Sequence, residues 1–75
     1  GEDVLSIQKD RQLIGQKVLI IDDLLATGGT LAATETLLEK AGASVLGSTV
    51  IIELDGLNGR ERLKYPVASL TQLAG

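Results

Sequence analysis

Two adjacent carboxylates, Asp22 and Asp23, close the apolar run Val18–Ile21, and four positions further on begins the small-residue turn Thr27-Gly28-Gly29-Thr30. Gly28 and Gly29 allow a sharp turn through positive φ and can aim successive N–H groups into one concavity. If a helix follows, its dipole adds positive potential there, and the Thr27 and Thr30 hydroxyls add donors. These are the parts of a phosphate cradle. It is neither of the two common ones, because no lysine follows the glycines and the spacing is not G-x-G-x-x-G. A tight strand-to-helix turn and a solvated acidic pair are the blander readings of the two features taken singly. Together they point further. Acceptor-only groups suit sugar hydroxyls or the water shell of Mg²⁺, so a phosphate site beside two carboxylates fits a ribose 5-phosphate with magnesium. Glu53, at the end of a later apolar run, reads as a structural group or one that supports the site from behind, in preference to a catalytic one.

The elements that must position these residues follow from periodicity. Asp3–Gln8 alternates as a half-buried strand, residues 9–16 form a polar connection, and Gly15 marks a turn. Lys17–Asp22 is a continuous β-branched and leucine run, as in strands buried on both faces of a parallel sheet. Residues 24–29 read as a loop. From Thr30 the period changes, and Leu31, Thr34, Leu38 and Ala41 share one helical face. Thr30 is the expected N-cap, Lys40 suits the negative end of the dipole, and Gly42 suits the left-handed residue that ends the helix. Ser44–Leu54 is a second buried-type strand, Asp55–Gly59 a loop, Arg60–Lys64 one helical turn, and Pro66–Leu73 a final extended segment. The expected fold is therefore α/β, built on a βαβ unit with a right-handed crossover. Two buried-type strands need cover on both faces and only one good helix is present, so the chain reads as an incomplete domain that a further portion or a second copy completes.

Bulk properties exclude several functions. Seventy-five residues make at most one small domain, which buries roughly 60% of its unfolded surface. There is no cysteine for a disulfide or thiolate site and no histidine for zinc or general-base work. A net charge of −3 and a single aromatic residue argue against nucleic acid as a partner, which needs a basic face and stacking platforms. No apolar run approaches a membrane span and the N-terminus does not resemble a signal peptide; a soluble, cytoplasmic chain is expected.

The stretch Val18–Thr30 resembles the phosphoribosyl pyrophosphate (PRPP) signature of type I phosphoribosyltransferases: a hydrophobic strand, two acidic residues, then a T-G-x-T loop. Its details resemble the adenine branch, in which the residue before T-G is not acidic; Ala26 stands there. The resemblance extends to Asp3–Asp10 upstream and Ile51–Leu63 downstream, so it covers nearly all of residues 1–75 as the C-terminal part of one phosphoribosyltransferase domain, with the PRPP loop at 18–30. Ser6 departs from the glutamate common in that branch. The resemblance implies the conversion of adenine and PRPP to AMP and pyrophosphate with Mg²⁺. Asp22 and Asp23 would contact the ribose hydroxyls and organise magnesium indirectly, while Ala26, Thr27, Gly28, Gly29 and Thr30 would hold the 5-phosphate. The family's base pocket, pyrophosphate loop and mobile catalytic loop all precede such a segment, so no acid/base residue is assigned. PRPP, adenine and AMP are the implied partners, with a homo-oligomer or an N-terminal portion completing the domain. The competing reading is a non-catalytic module that senses nucleotides through the same loop or completes a partner's sheet.

Overall fold

The computed structural model describes residues 13–74. The expected strand at Asp3–Gln8 lies outside the described residues. Gly15 takes positive φ in a turn, as expected. The chain then runs through strand β1 (Lys17–Leu25), helix α1 (Gly29–Lys40), strand β2 (Ser44–Leu54), two short 3-10 turns at Asp55–Leu57 and Gly59–Arg62, and strand β3 (Val67–Leu73). All pairings are parallel and the order is β1-β2-β3, with β2 in the centre. This is the expected α/β architecture, with a third parallel strand supplied by the segment read as merely extended.

Strand β1 runs three residues beyond its expected end, because Leu24 and Leu25 continue the ladder opposite Ile52 and Glu53. Asp22 and Asp23 therefore lie inside the strand. The core forms where α1 packs on one sheet face: Ile20, Leu25, Leu31, Leu38, Val45 and Val50 are buried together. On the opposite face the register brings Ile21 to Thr49 and Ala68, with Ile51 and Leu70 two positions along. Ile21 is 76% exposed and Leu70 73%. One face of the sheet is thus apolar and uncovered among the described residues, as the shortage of helices implied. No helix of the described residues is long and apolar enough to cross a membrane.

The inward stripe of α1 differs from the expected one. Leu31, Glu35 and Leu38 are buried, at i, i+4 and i+7, whereas Thr34 is half-buried and donates its hydroxyl to the Thr30 carbonyl at 2.9 Å. A carboxylate takes the core position because the connection after β2 brings it two donors. The Glu35 carboxylate accepts the backbone N–H of Lys64 at 2.9 Å and that of Tyr65 at 3.3 Å, so its burial is compensated by hydrogen bonds. One turn on, Glu39 accepts from the Lys64 ammonium at 3.0 Å and from the Tyr65 hydroxyl. Lys40 and Gly42 close the helix as expected.

Glu35→Gln turns one of these acceptors into a donor that faces a backbone N–H. It is expected to lower unfolding stability by about 1–3 kcal/mol, read from urea denaturation. Loss of less than a few tenths would show that the Lys64 and Tyr65 amides find other partners.

Candidate functional site

The carboxyl end of β1 and the start of α1 enclose a cleft of about 170 Å³, lined by Asp22 and residues 24–31. A ligand site at this end of a parallel strand follows the general geometry of open α/β sheets. The structure brings together Asp22, Ala26, Thr27, Gly28, Gly29 and Thr30 around one concavity. Asp23 is not among the lining residues. Asp23 is exposed while Asp22 is half-buried, and the Asp22 side chain beside Asp23 helps hold the Asp23 carboxyl below its ordinary value. The two are linked through the backbone: the Asp23 N–H donates to Asp22 Oδ1 at 2.8 Å, which fixes the direction of the Asp22 carboxylate.

The helix begins earlier than the sequence suggests. Gly28, not Thr30, is the N-cap, with φ 86 and ψ −2, and no side chain caps the helix. Thr30 lies within the first turn. The first-turn N–H groups therefore point along the axis into the cleft without competition from a capping side chain, which is the arrangement that receives anions. The one local contact is long: the Gly29 N–H donates to Thr27 Oγ1 at 3.4 Å. The two glycines are also not equivalent. Positive φ is confined to Gly28, and a Cβ added at Gly29 would meet nothing closer than Thr27 Oγ1 at 3.7 Å.

Gly28 is held to glycine from across the fold. A Cβ at Gly28 would stand 2.3 Å from the Gly59 carbonyl oxygen, and one at Gly59 would stand 2.2 Å from the Ala26 carbonyl oxygen. The 3-10 turn beginning at Gly59 thus backs the loop with bare backbone on both sides. Sequence reasoning missed this residue. The Asn58-Gly59 pair is a turn signal, realised by Asn58 at φ 52, but nothing local says which loop the turn will touch.

Glu53 is 5% exposed and tied in place. Its carboxylate accepts Arg60 Nε at 2.8 Å and Nη2 at 2.6 Å, Ser69 Oγ at 2.9 Å and Gln72 Nε2 at 3.4 Å. The Arg60 guanidinium beside it holds the Glu53 carboxyl well below the usual carboxylate range, at about 2, against the opposing effect of burial. A group so paired favours the structural reading over general acid/base work. Among the described residues no group of three or more His, Cys, Asp or Glu could hold a metal ion by itself. The acidic pair suits Mg²⁺ that arrives with a phosphorylated substrate, since that ion takes one or two carboxylates together with substrate phosphates.

The model of the phosphoribosyl transferase domain matches residues 2–74. The chain is 56% identical over 70 residues to the adenine phosphoribosyltransferase of Gluconacetobacter diazotrophicus, covering 93% of this chain and 40% of that protein. It is 57% identical over 70 residues to that of Gluconobacter oxydans, covering 93% and 39%. The chain thus spans about two fifths of the length of the curated relatives it matches. Among solved structures, adenine phosphoribosyltransferase from Rhodothermus marinus superposes with a TM-score of 0.81 at 50% identity, covering 85% of this chain and 38% of that one. The enzyme from Saccharomyces cerevisiae, complexed with an imino-altritol bisphosphate and adenine, also gives 0.81, at 44% identity, covering 85% and 36%.

Two outcomes follow from this geometry. Gly28→Ala is expected to cost about 1–3 kcal/mol from the strained φ alone, and more from the clash with Gly59. Gly29→Ala is expected to be neutral or stabilising, because the residue is helical and its Cβ has room. Thermal melts of the two variants side by side check this. In acid, the folded Glu53 carboxyl titrates below its ordinary value of 4.5. Its stabilisation is therefore complete above about 4.5 and is lost as pH falls towards about 2. Glu53→Gln should flatten that limb of an acid-unfolding curve.

Proposed function

Because this chain belongs to the phosphoribosyl transferase domain family, we propose that it carries the 5-phosphoribosyl site of an adenine phosphoribosyltransferase. That reaction forms a bond from an adenine ring nitrogen to ribose C1 as the bond from C1 to pyrophosphate breaks and the nitrogen's proton passes to a base, giving AMP and pyrophosphate. The single observation that carries the reading is the convergence of Asp22 with residues 26–30 on one cleft at an uncapped helix N-terminus. Adenine phosphoribosyltransferases recur among the relatives, and the yeast relative is one complexed with a bisphosphate and adenine.

In this reading the N–H groups of residues 26–30 and the Thr27 and Thr30 hydroxyls bind the 5-phosphate, whose binding energy orients the reacting carbon. Asp22 accepts from the ribose hydroxyls inside the cleft, and Asp23 acts from the rim. Both stabilise the positive charge that grows on the ribose as the leaving group departs. Asp22 and Asp23 would hold Mg²⁺ through ribose hydroxyls or water, and the ion, bound with PRPP, would supply charge neutralisation at the pyrophosphate. The base pocket and acid/base group are expected from a further portion of the domain or a second copy. The apolar face bearing Ile21, Ile51 and Leu70 supports such completion, and equally a non-catalytic module that binds PRPP or completes a partner's sheet.

The test is AMP binding by calorimetry, with turnover measured in parallel. The chain should bind AMP and Asp22→Asn should weaken that binding, while the melting temperature stays level or rises slightly as a like-charge pair is relieved. Asn keeps the oxygen that accepts the Asp23 N–H, so the local backbone is retained. Adenine, PRPP and Mg²⁺ should give AMP only when an N-terminal phosphoribosyltransferase portion is added. A large fall in melting temperature with unchanged AMP affinity would overturn the assignment of Asp22. Turnover by the chain alone would place the acid/base group within these residues.

A further inference from the structure

Residues 55–65 lie between the paired strands β2 and β3 and take no place in either ladder, yet they supply the backbone that closes the phosphate loop from behind. Contacts at three places hold this connection. At its far end, Lys64 and Tyr65 give their N–H groups to Glu35, and their side chains reach Glu39. In the middle, Gly59 abuts Ala26 and Gly28. Immediately after Gly59, Arg60 forks onto Glu53 with two bonds of 2.8 and 2.6 Å. Of the side-chain anchors, only the Arg60 fork is adjacent in sequence to the residue touching the loop.

We propose that Glu53 and Arg60 are positioning residues for phosphate binding: their two-point pair sets the place of Gly59, and Gly59 sets the place of Gly28. The inference rests on the phosphate-loop reading and extends it to residues remote from the cleft, since neither lines it. The geometry makes the transmission direct. The atoms nearest a Cβ at Gly28 are all Gly59 backbone, with the Leu25 side chain beside Gly59, so a displacement of Gly59 passes to Gly28 through backbone contact. Towards Arg60, Glu53 is anchored on both oxygens, and Ser69 at 2.9 Å and Gln72 at 3.4 Å bind Oε1 from β3. The carboxylate is therefore a fixed post against which the guanidinium is held. Lysine could keep the charge but not the fork, and so would leave the turn a freedom that arginine denies it.

A merely structural pair would lower stability and leave the phosphate affinity of the folded chain unchanged. The experiment separates the two by following the Gly28, Gly29 and Thr30 amides in nitrogen–proton correlation spectra of the full chain while AMP is added. Parent, Arg60→Lys, Arg60→Ala and Glu53→Gln are compared, with Glu39→Gln as the control that loosens the same connection at its other end. Arg60→Lys retains an ion pair and reports where Arg60→Ala does not fold. Arg60→Lys should move the Gly28 amide before any ligand is added and weaken AMP binding by roughly 10- to 100-fold, the scale of a small misplacement. Adding Glu53→Gln to it should cause little further loss, whereas Glu39→Gln should leave AMP affinity at the parental value. Unchanged Gly28 shifts and AMP affinity in folded Arg60→Lys would overturn the proposal while leaving the phosphate site standing. Absence of any AMP response at Gly28–Thr30 in the parent would overturn the phosphate-loop reading, and this inference with it.

Discussion

The constraint on which the rest depends is the contact between two backbones, at Gly28 and Gly59. One belongs to the turn between β1 and α1, the other to the connection between β2 and β3, and each occupies space that a Cβ on the other would need. Backbone packed on backbone leaves no room for rotamer adjustment, so the turn at Gly28 inherits the position of a segment thirty-one residues away. That is a stiff way to build a loop whose N–H groups must converge. Convergent donors are useful to an anion only when their directions are set before it arrives.

Two buried carboxylates do for the β2–β3 connection what a ladder does for the strands. Glu35 accepts backbone N–H groups and Glu53 accepts a guanidinium fork. A buried charge is costly unless its hydrogen-bonding capacity is filled, and both groups meet that condition with donors from this connection, Glu53 with Ser69 and Gln72 of β3 besides. The arrangement concentrates polar tethering on the ligand side of the sheet. The opposite face keeps exposed isoleucine and leucine, which is the surface a completing layer of an α/β domain would bury.

The site divides its electrostatics by distance along the chain. Positive potential comes from the helix terminus and its unpaired N–H directions, with no lysine or arginine among the residues that line the cleft. Negative charge sits on β1, where Asp22 lines the cleft and Asp23 beside it is more exposed. In the function proposed above, a ligand with a phosphate at one end and hydroxyls at the other meets both regions in a single orientation. The same ligand reversed would set its phosphate against a carboxylate.

Much of this was legible in the residues themselves. Strand β2 and the C-terminus of α1 fall where the apolar runs, Lys40 and Gly42 place them, because strand and helix periods and helix stop signals are local. The adenine-type loop with Ala26 before Thr27 and Gly28 identified the family from its own letters. What the chain's letters could not decide were the outcomes of meetings between distant segments. The third parallel strand needed β2 as its partner. The extra length of β1 depended on Ile52 and Glu53 lying opposite, and the inward turn of Glu35 depended on two amides near the far end of the chain. The move of the N-cap from Thr30 to Gly28 is of the same kind: Gly28 is pinned from outside by Gly59, and the helix starts from the residue that is pinned. Local propensity sets which conformations are cheap, but only tertiary contact chooses among them when the differences are about a kilocalorie per mole.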